Sequence, residues 1–270
     1  MKKVLKEIYN LDTSIYESSF LHKIVQDRLR VNHIISEKNY LNYLNENMDE
    51  IKALKKALNN NFSKFFRNKL TFSYLEQVIL PELIQQKTKL KQKEIRIWSA
   101  ACASGQEAYS LAILCNELSK SQQTNIRFNI FATDISEGEI KKAQKGIYAE
   151  QALNNITMKR IKENFELKNA VFSINKEIKE YVEFSTFNLL DVNNDSPPVS
   201  IFGSFDLIFC SNLLFYYNAK IQKQMLNKVD ANLLPGGYLV IGEAEKNSIK
   251  REKSYTHIFN TSILRKSNSK

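Results

Sequence analysis

The hydrophobic pattern of the chain changes period near residue 93, and that change divides it. In "FLHKIVQDRLR" the apolar residues Phe20, Leu21, Ile24, Val25 and Leu29 recur at helical spacing. In "SEKNYLNYLNEN", Ser36 is placed to cap a helix whose apolar face carries Tyr40, Leu41, Tyr43 and Leu44. Neither proline nor glycine interrupts this part, so residues 1–72 are expected to form a small helical domain. Pro81 sits in "VILPELIQQKTKLKQK", read as a linker helix over 73–92 with a basic tether.

From Ile95 short apolar runs rich in β-formers alternate with helical patterns. "IRIWS", "IRFNIFATD", "YVEFSTFNLLD", "FDLIFCSNLLFYY" and "GYLVIGEAE" read as strands, with helices following the first two. Such alternation predicts an α/β domain over 93–270, a mostly parallel doubly wound sheet covered on both faces. "YTHIFNTSILRK" is expected to close it as a strand or hairpin.

Ligands of such a sheet bind beyond the carboxyl ends of its strands. Those ends carry "SAACASG" after the first strand, Asp134 after the second, Asn188 after the third and Asn212 after the fourth. Each residue alone is also what caps and turns require. Together, at four consecutive strand ends, they favour a nucleoside-like cofactor, with the acid positioned for ribose hydroxyls. The loop has one glycine and lacks G-x-G-x-x-G, which weighs against a pyrophosphate cradle.

Composition narrows the classes. Lys and Arg total 39 against 29 acidic residues, a net charge of +10, which favours an anionic partner. The basic residues are dispersed and no nucleic-acid module is evident, so nucleic acid is not expected. An acidic protein surface accounts for the charge equally well. Lys23, Arg28 and Arg30 form a candidate basic face for it. No apolar run spans a bilayer and the N-terminus lacks a signal-peptide core, so a cytoplasmic protein without membrane insertion is expected. Cys102, Cys115 and Cys210 form no C-x-x-C pair, and His22, His33 and His257 are scattered, so no metal site is expected.

"NNFSKFFRN", "WSAACASGQEAYSLA", "FATDIS", "KKAQKGIY", "FDLIFCSNLLFYY" and "LLPGGYLVIGEAE" closely resemble the CheR-type chemotaxis receptor methyltransferases, over nearly the whole chain. The resemblance implies a class I methyltransferase, Rossmann-like, behind a small N-terminal helical domain, with a small antiparallel β insert at about 149–180. It implies S-adenosylmethionine as cofactor, S-adenosylhomocysteine as product, and glutamate side chains of a chemoreceptor's acidic helix bundle as acceptor. The family's cofactor contacts carry over onto Asn61, Ser63, Arg67, Glu107, Asp134, Asn188, Leu189 and Asn212. Arg67 and Tyr216 carry over as the residues that position the acceptor carboxylate, through paired hydrogen bonds and a phenolic donor respectively.

A glutamate is already ionised at neutral pH, so no strong base is needed, and the sequence shows no catalytic His or Cys constellation. Three departures stand out. Ser211 occupies a position where the family usually has an arginine. Gln106 and Ala108 replace a common Glu and Pro, and "GEAE" replaces "GHSE". The insert "FELKNAVFSINKEIKEYVEF" supports a hairpin without a glycine-rich loop, which weighs against receptor-tail docking. The alternatives are a same-fold methyltransferase acting on RNA or a small carboxylic acid, and a non-catalytic cofactor- or receptor-binding adaptor. A monomer is expected.

Overall fold

A computed structural model describes residues 2–9, 11–59, 62–198, 200, 204–249, 254–259 and 261–268. The chain forms two compact units, Met1–Asn60 with Leu213–Gln224, and Asn61–Asn212 with Met225–Lys270. The boundary expected at 72 therefore lies inside the larger unit, because Phe65, Phe66 and Phe72 are buried in that unit's core. Helical periodicity reports an apolar face but not which core it joins.

In the smaller unit, helices Ser18–Val31, Glu37–Glu46 and Met48–Leu58 bury Val25, Tyr40, Leu44 and Leu54 almost completely. Ser36 caps the second of these, its Oγ accepting from Asn39 N at 3.2 Å. Arg28 is not free to form a basic docking face. Its Nε donates to Glu50 Oε1 at 2.8 Å, and the buried Tyr40 hydroxyl donates to the same oxygen at 2.6 Å. Glu50 is buried, so Arg28 neutralises an internal charge, and losing one partner of such a pair costs about 3–5 kcal/mol. Arg30 pairs with Asp27 at 3.4 Å on the surface. Segment Leu213–Gln224 adds Tyr217, whose ring stacks on Tyr16 at 5.4 Å.

Among the described residues the larger unit has ten strands: β1 Glu94–Ala100, β2 Arg127–Asp134, β3 Ile147–Ala149, β4 Phe165–Lys168, β5 Val171–Ile174, β6 Val182–Thr186, β7 Phe205–Cys210, β8 Leu233–Ile241, β9 Tyr255–His257 and β10 Ile263–Lys266. Seven form one sheet in the order β6-β2-β1-β7-β8-β10-β9. The first five pair in parallel, while β10 runs antiparallel to both its neighbours. The C-terminal run is thus a hairpin. All six residues of β7 are buried; residues 207–210 are the unbroken apolar run that a strand covered on both faces requires, and the buried Asp206 is the one charged member.

The insert is a three-stranded antiparallel sheet, β3-β5-β4. Its β4–β5 hairpin turns at Asn169 and Ala170, both with positive φ (50° and 61°), as a two-residue turn matched to strand twist demands.

The linker is one long helical rod: Lys69–Tyr74, a wide π turn over Leu75–Ile79, then Leu80–Lys89. Pro81 explains the wide turn. It has no N–H to give, and its ring crowds the carbonyl one α-turn back, so the preceding turn opens and Leu80 N donates to Leu75 O. At the rod's far end Lys87 Nζ meets the nearly buried Asp206 at 2.7 Å, and the other Asp206 oxygen accepts from Arg96 N at 2.9 Å. These bonds tie the rod to the starts of β1 and β7. Cys102, Cys115 and Cys210 are buried free thiols.

Candidate cofactor and active site

The loop between β1 and helix Gln106–Gln122 is held in an unusual backbone path. Ala101, Ala103 and Gly105 all have positive φ (61°, 49° and 90°), a region that costs an alanine about 1–2 kcal/mol. Neighbouring groups hold it there. Asp134, at the end of β2, accepts from Ala103 N through Oδ2 and from Ser136 N through Oδ1, both at 2.9 Å. Tyr148 of β3 donates its hydroxyl to Ser104 O at 2.7 Å, and Cys102 N donates to Thr133 O at 2.9 Å. A Cβ on Gly105 would fall 2.8 Å from Ala143 Cβ, so only glycine lets the loop lie this close to the next helix. Burial raises the Asp134 pKa, and the two backbone N–H bonds oppose the rise.

Glu107 follows this loop in the first turn of the helix, half-buried. Ser99 donates to its Oε1 at 2.7 Å and Ser211 to its Oε2 at 2.8 Å. Burial lifts the Glu107 pKa from 4.5 to about 7, with the serine hydroxyls and the charge of Arg67 pulling it down and Glu245 pushing it up.

Asn212, just past β7, also has positive φ (59°). Its backbone N donates to Glu245 Oε2 at 3.0 Å, and Gly242 N donates to the same oxygen at 2.6 Å. Any side chain on Gly242 would press on that carboxylate, 2.7 Å away. Glu245 thus fastens the ends of β7 and β8 together. It is absent from the sequence-derived site. Its signal was the second acid of "GEAE", a weak one because its partners are backbone groups, one of them 33 residues distant. Tyr148 was missed for the same reason, its partner being the Ser104 carbonyl 44 residues away.

A pocket of about 520 Å³ gathers Arg67, Glu107 and Asn212 with Ser211, Gly242 and Glu243. Arg67 is exposed, its Nη1 donating to Phe62 O at 3.1 Å and its guanidinium lying over the Phe62 ring. Asn188 closes its own turn, accepting from Leu190 N at 2.9 Å, and Leu189 beside it is buried. Ser63 is half-buried ahead of Phe65. Asn61 lies outside the described residues. Tyr216 belongs to the smaller unit, where its ring lies 4.7 Å from that of Phe20 and its carbonyl accepts from Glu17 N at 2.9 Å.

The pocket's donor set suits a cationic amino-acid portion of a nucleoside cofactor. A fixed carboxylate faces it from the helix start, and a second acid, Asp134, ends the adjacent strand. With one antiparallel strand in the sixth place of a seven-stranded sheet, and candidate ligand groups at the carboxyl ends of β1, β2 and β7, this unit is a class I S-adenosylmethionine methyltransferase fold. The family profile "CheR methyltransferase, SAM binding domain" matches residues 61–263. The chain belongs to the CheR methyltransferase family.

It is 30% identical over 264 residues to a chemotaxis protein methyltransferase of Borreliella burgdorferi, covering 96% of this chain and 91% of that one. It is 35% identical over 193 residues to chemotaxis protein methyltransferase 1 of Pseudomonas aeruginosa, covering 70% of this chain and 67% of that one. Among solved structures it is similar, at 16% identity and a TM-score of 0.30, to an S-adenosylmethionine-dependent methyltransferase from Clostridium acetobutylicum, over 64% of this chain and 56% of that one. Among the described residues, no helix is long and apolar enough to cross a membrane.

Proposed function

We propose that this methyltransferase esterifies glutamate side chains in the cytoplasmic methylation region of a chemoreceptor, with S-adenosylmethionine as donor. The observation that carries the reading is the pairing, in one pocket, of the Glu107 carboxylate with the Arg67 guanidinium. The cofactor, when bound, supplies a methyl group made electrophilic by its sulfonium. Glu107 binds the cationic methionine portion. Asp134 receives ribose hydroxyls on the lone pairs its loop bonds leave over, and Asn188, whose carbonyl oxygen is engaged by Leu190, offers its amide N–H groups. Asn212 is held in place for the cofactor by Glu245. Asn61, Ser63 and Leu189 complete the cofactor contacts on the strength of the resemblance.

Arg67 is the acceptor-side residue. A planar guanidinium holds a carboxylate through two parallel hydrogen bonds and so fixes its orientation. The acceptor, ionised at neutral pH, needs no base, so alignment and exclusion of water are what the protein supplies. Good alignment alone is worth about 7–11 kcal/mol. Tyr216, by resemblance, donates a hydrogen bond to the same carboxylate. The basic surplus of the chain suits an acidic receptor bundle.

The test uses cofactor tritiated on the methyl group with receptor-containing membranes. Label entering the receptor and released by mild base as methanol is the expected result. Label that resists base, or that enters RNA or small carboxylic acids instead, refutes the glutamate assignment.

A further inference from the structure

Glu107 is gripped at both oxygens by hydroxyls from two neighbouring parallel strands. Ser99, fully buried in β1, donates to Oε1, and Ser211, directly after β7, donates to Oε2. A carboxylate bonded at both oxygens cannot rotate about its last bond, so its plane is set before any ligand arrives. Ser211 is also the position where the chain departs from its family's usual arginine. The substitution matters electrically: an arginine would bring a full charge to the carboxylate, whereas a serine brings one hydrogen bond and no charge.

Resting on the reading above, we propose that Ser211 is a positioning residue that, with Ser99, holds the Glu107 carboxylate as an anionic receptor for the cofactor's cationic portion, leaving its negative charge for the ligand. The groups around Glu107 are consistent with this division. Lys64, Arg67 and Lys69 line the pocket from the segment preceding β1, and Glu243 lines it from beyond β8. Arg67 favours the ionised carboxylate and Glu245 opposes it. The thiols of Cys102 and Cys210 are raised by burial, then by the charges of Asp134 and Glu245 respectively, and after those by the charge of Glu107. Ser211 is the half-buried member of the pair, open to change without disturbing the core.

A hydrogen bond to the ionised form lowers a carboxyl pKa, so removing the Ser211 hydroxyl lets the Glu107 pKa climb. The consequence is a pH-dependent fault rather than a uniform one. Two measurements read it: the titration of the Glu107 side-chain carboxyl by carbon NMR without cofactor, and calorimetric binding of S-adenosylmethionine at about pH 6.5 and about pH 8.5. Ser211→Ala is expected to move the titration midpoint upward. It should weaken binding roughly fivefold at the lower pH, the size of one lost hydrogen bond, and less than twofold at the higher. Ser211→Thr, which keeps the hydroxyl, is expected to restore both. An equal loss at both pH values, or an unmoved midpoint, would overturn the proposal and leave Ser211 as packing. Glu107→Gln, run in parallel, separates the layers. If it binds the cofactor as tightly as the parent, the assignment of Glu107 itself fails, whatever Ser211 does.

Discussion

Replacing Glu245 tests whether the site is built by a residue that touches no reactant. Glu245 is 1% exposed, and its Oε2 receives two backbone donors, Gly242 N at 2.6 Å and Asn212 N at 3.0 Å. Glu245→Ala strands both. A buried donor without a partner costs about 1–3 kcal/mol; Gly242 is buried and bears that in full, while Asn212 is half-buried and bears less. The sum is roughly 2–4 kcal/mol of stability. Asn212 also loses the bond that holds it at positive φ, so its side chain leaves the position from which, on the proposed reading, it would meet the cofactor. Glu245→Gln keeps an oxygen acceptor and is expected to cost only about 1 kcal/mol. Because the charge of Glu245 raises the Glu107 pKa, the glutamine variant should also move the Glu107 titration downward, opposite to Ser211→Ala. Urea unfolding gives the first quantity and cofactor calorimetry the second. Glu245→Ala within about 0.5 kcal/mol of the parent, at undiminished cofactor affinity, would refute the reasoning.

Three further outcomes follow from the same geometry. The folded Glu107 pKa, about 7, stands above its unfolded value of 4.5, so the cofactor-free folded state holds the extra proton between those limits. The contribution of Glu107 to stability is therefore fully present below about pH 4.5 and falls, by at most about 3 kcal/mol, as pH rises through 7, while affinity for the cationic cofactor rises; relative to the parent, Glu107→Gln should remove both of these pH-dependent terms. Asp134→Ala removes the bond to Ala103 N in the strained loop and the bond to Ser136 N, so denaturant unfolding should show a loss of about 2–4 kcal/mol beside weakened cofactor binding, and a stable variant with normal affinity would contradict its role. Tyr216→Phe keeps the ring on Phe20; turnover should fall roughly 10- to 100-fold with cofactor affinity unchanged, and unchanged turnover would reduce the residue to an aromatic wall.

The parallel core was legible because burial on both faces leaves runs such as "LIFC" unbroken, and the strand ends followed from the fold's own logic. Asp134, Asn188 and Asn212 were placed at or just beyond strand ends that way. Elements that depend on distant partners were not legible. β3 has three residues, too few for periodicity to register, yet its Tyr148 hydroxyl restrains the loop. Arg28 in "HKIVQDRLR" read as part of a basic face for an acidic partner, and Glu50, which it neutralises, lies 22 residues on. Phe65, Phe66 and Phe72 gave a helix-like stretch with nothing local to say that the methyltransferase core owns them. Ser211 was visible as a departure, but its meaning lay in Glu107, 104 residues away.

The π turn at Leu75–Ile79 sets the rotational phase of the rod beyond it. Each helical residue advances the rod by about 100°, so shortening that turn by one residue would swing Leu80, Leu83 and Ile84, all buried, about a quarter-turn off the core. Phe72 ahead of the turn and Lys87 with its grip on Asp206 beyond it cannot both be satisfied at any other length. Exchanges of one apolar side chain for another are tolerable along this stretch. Insertions and deletions are not: between Phe72 and Lys87 the count of residues is more tightly constrained than their identity.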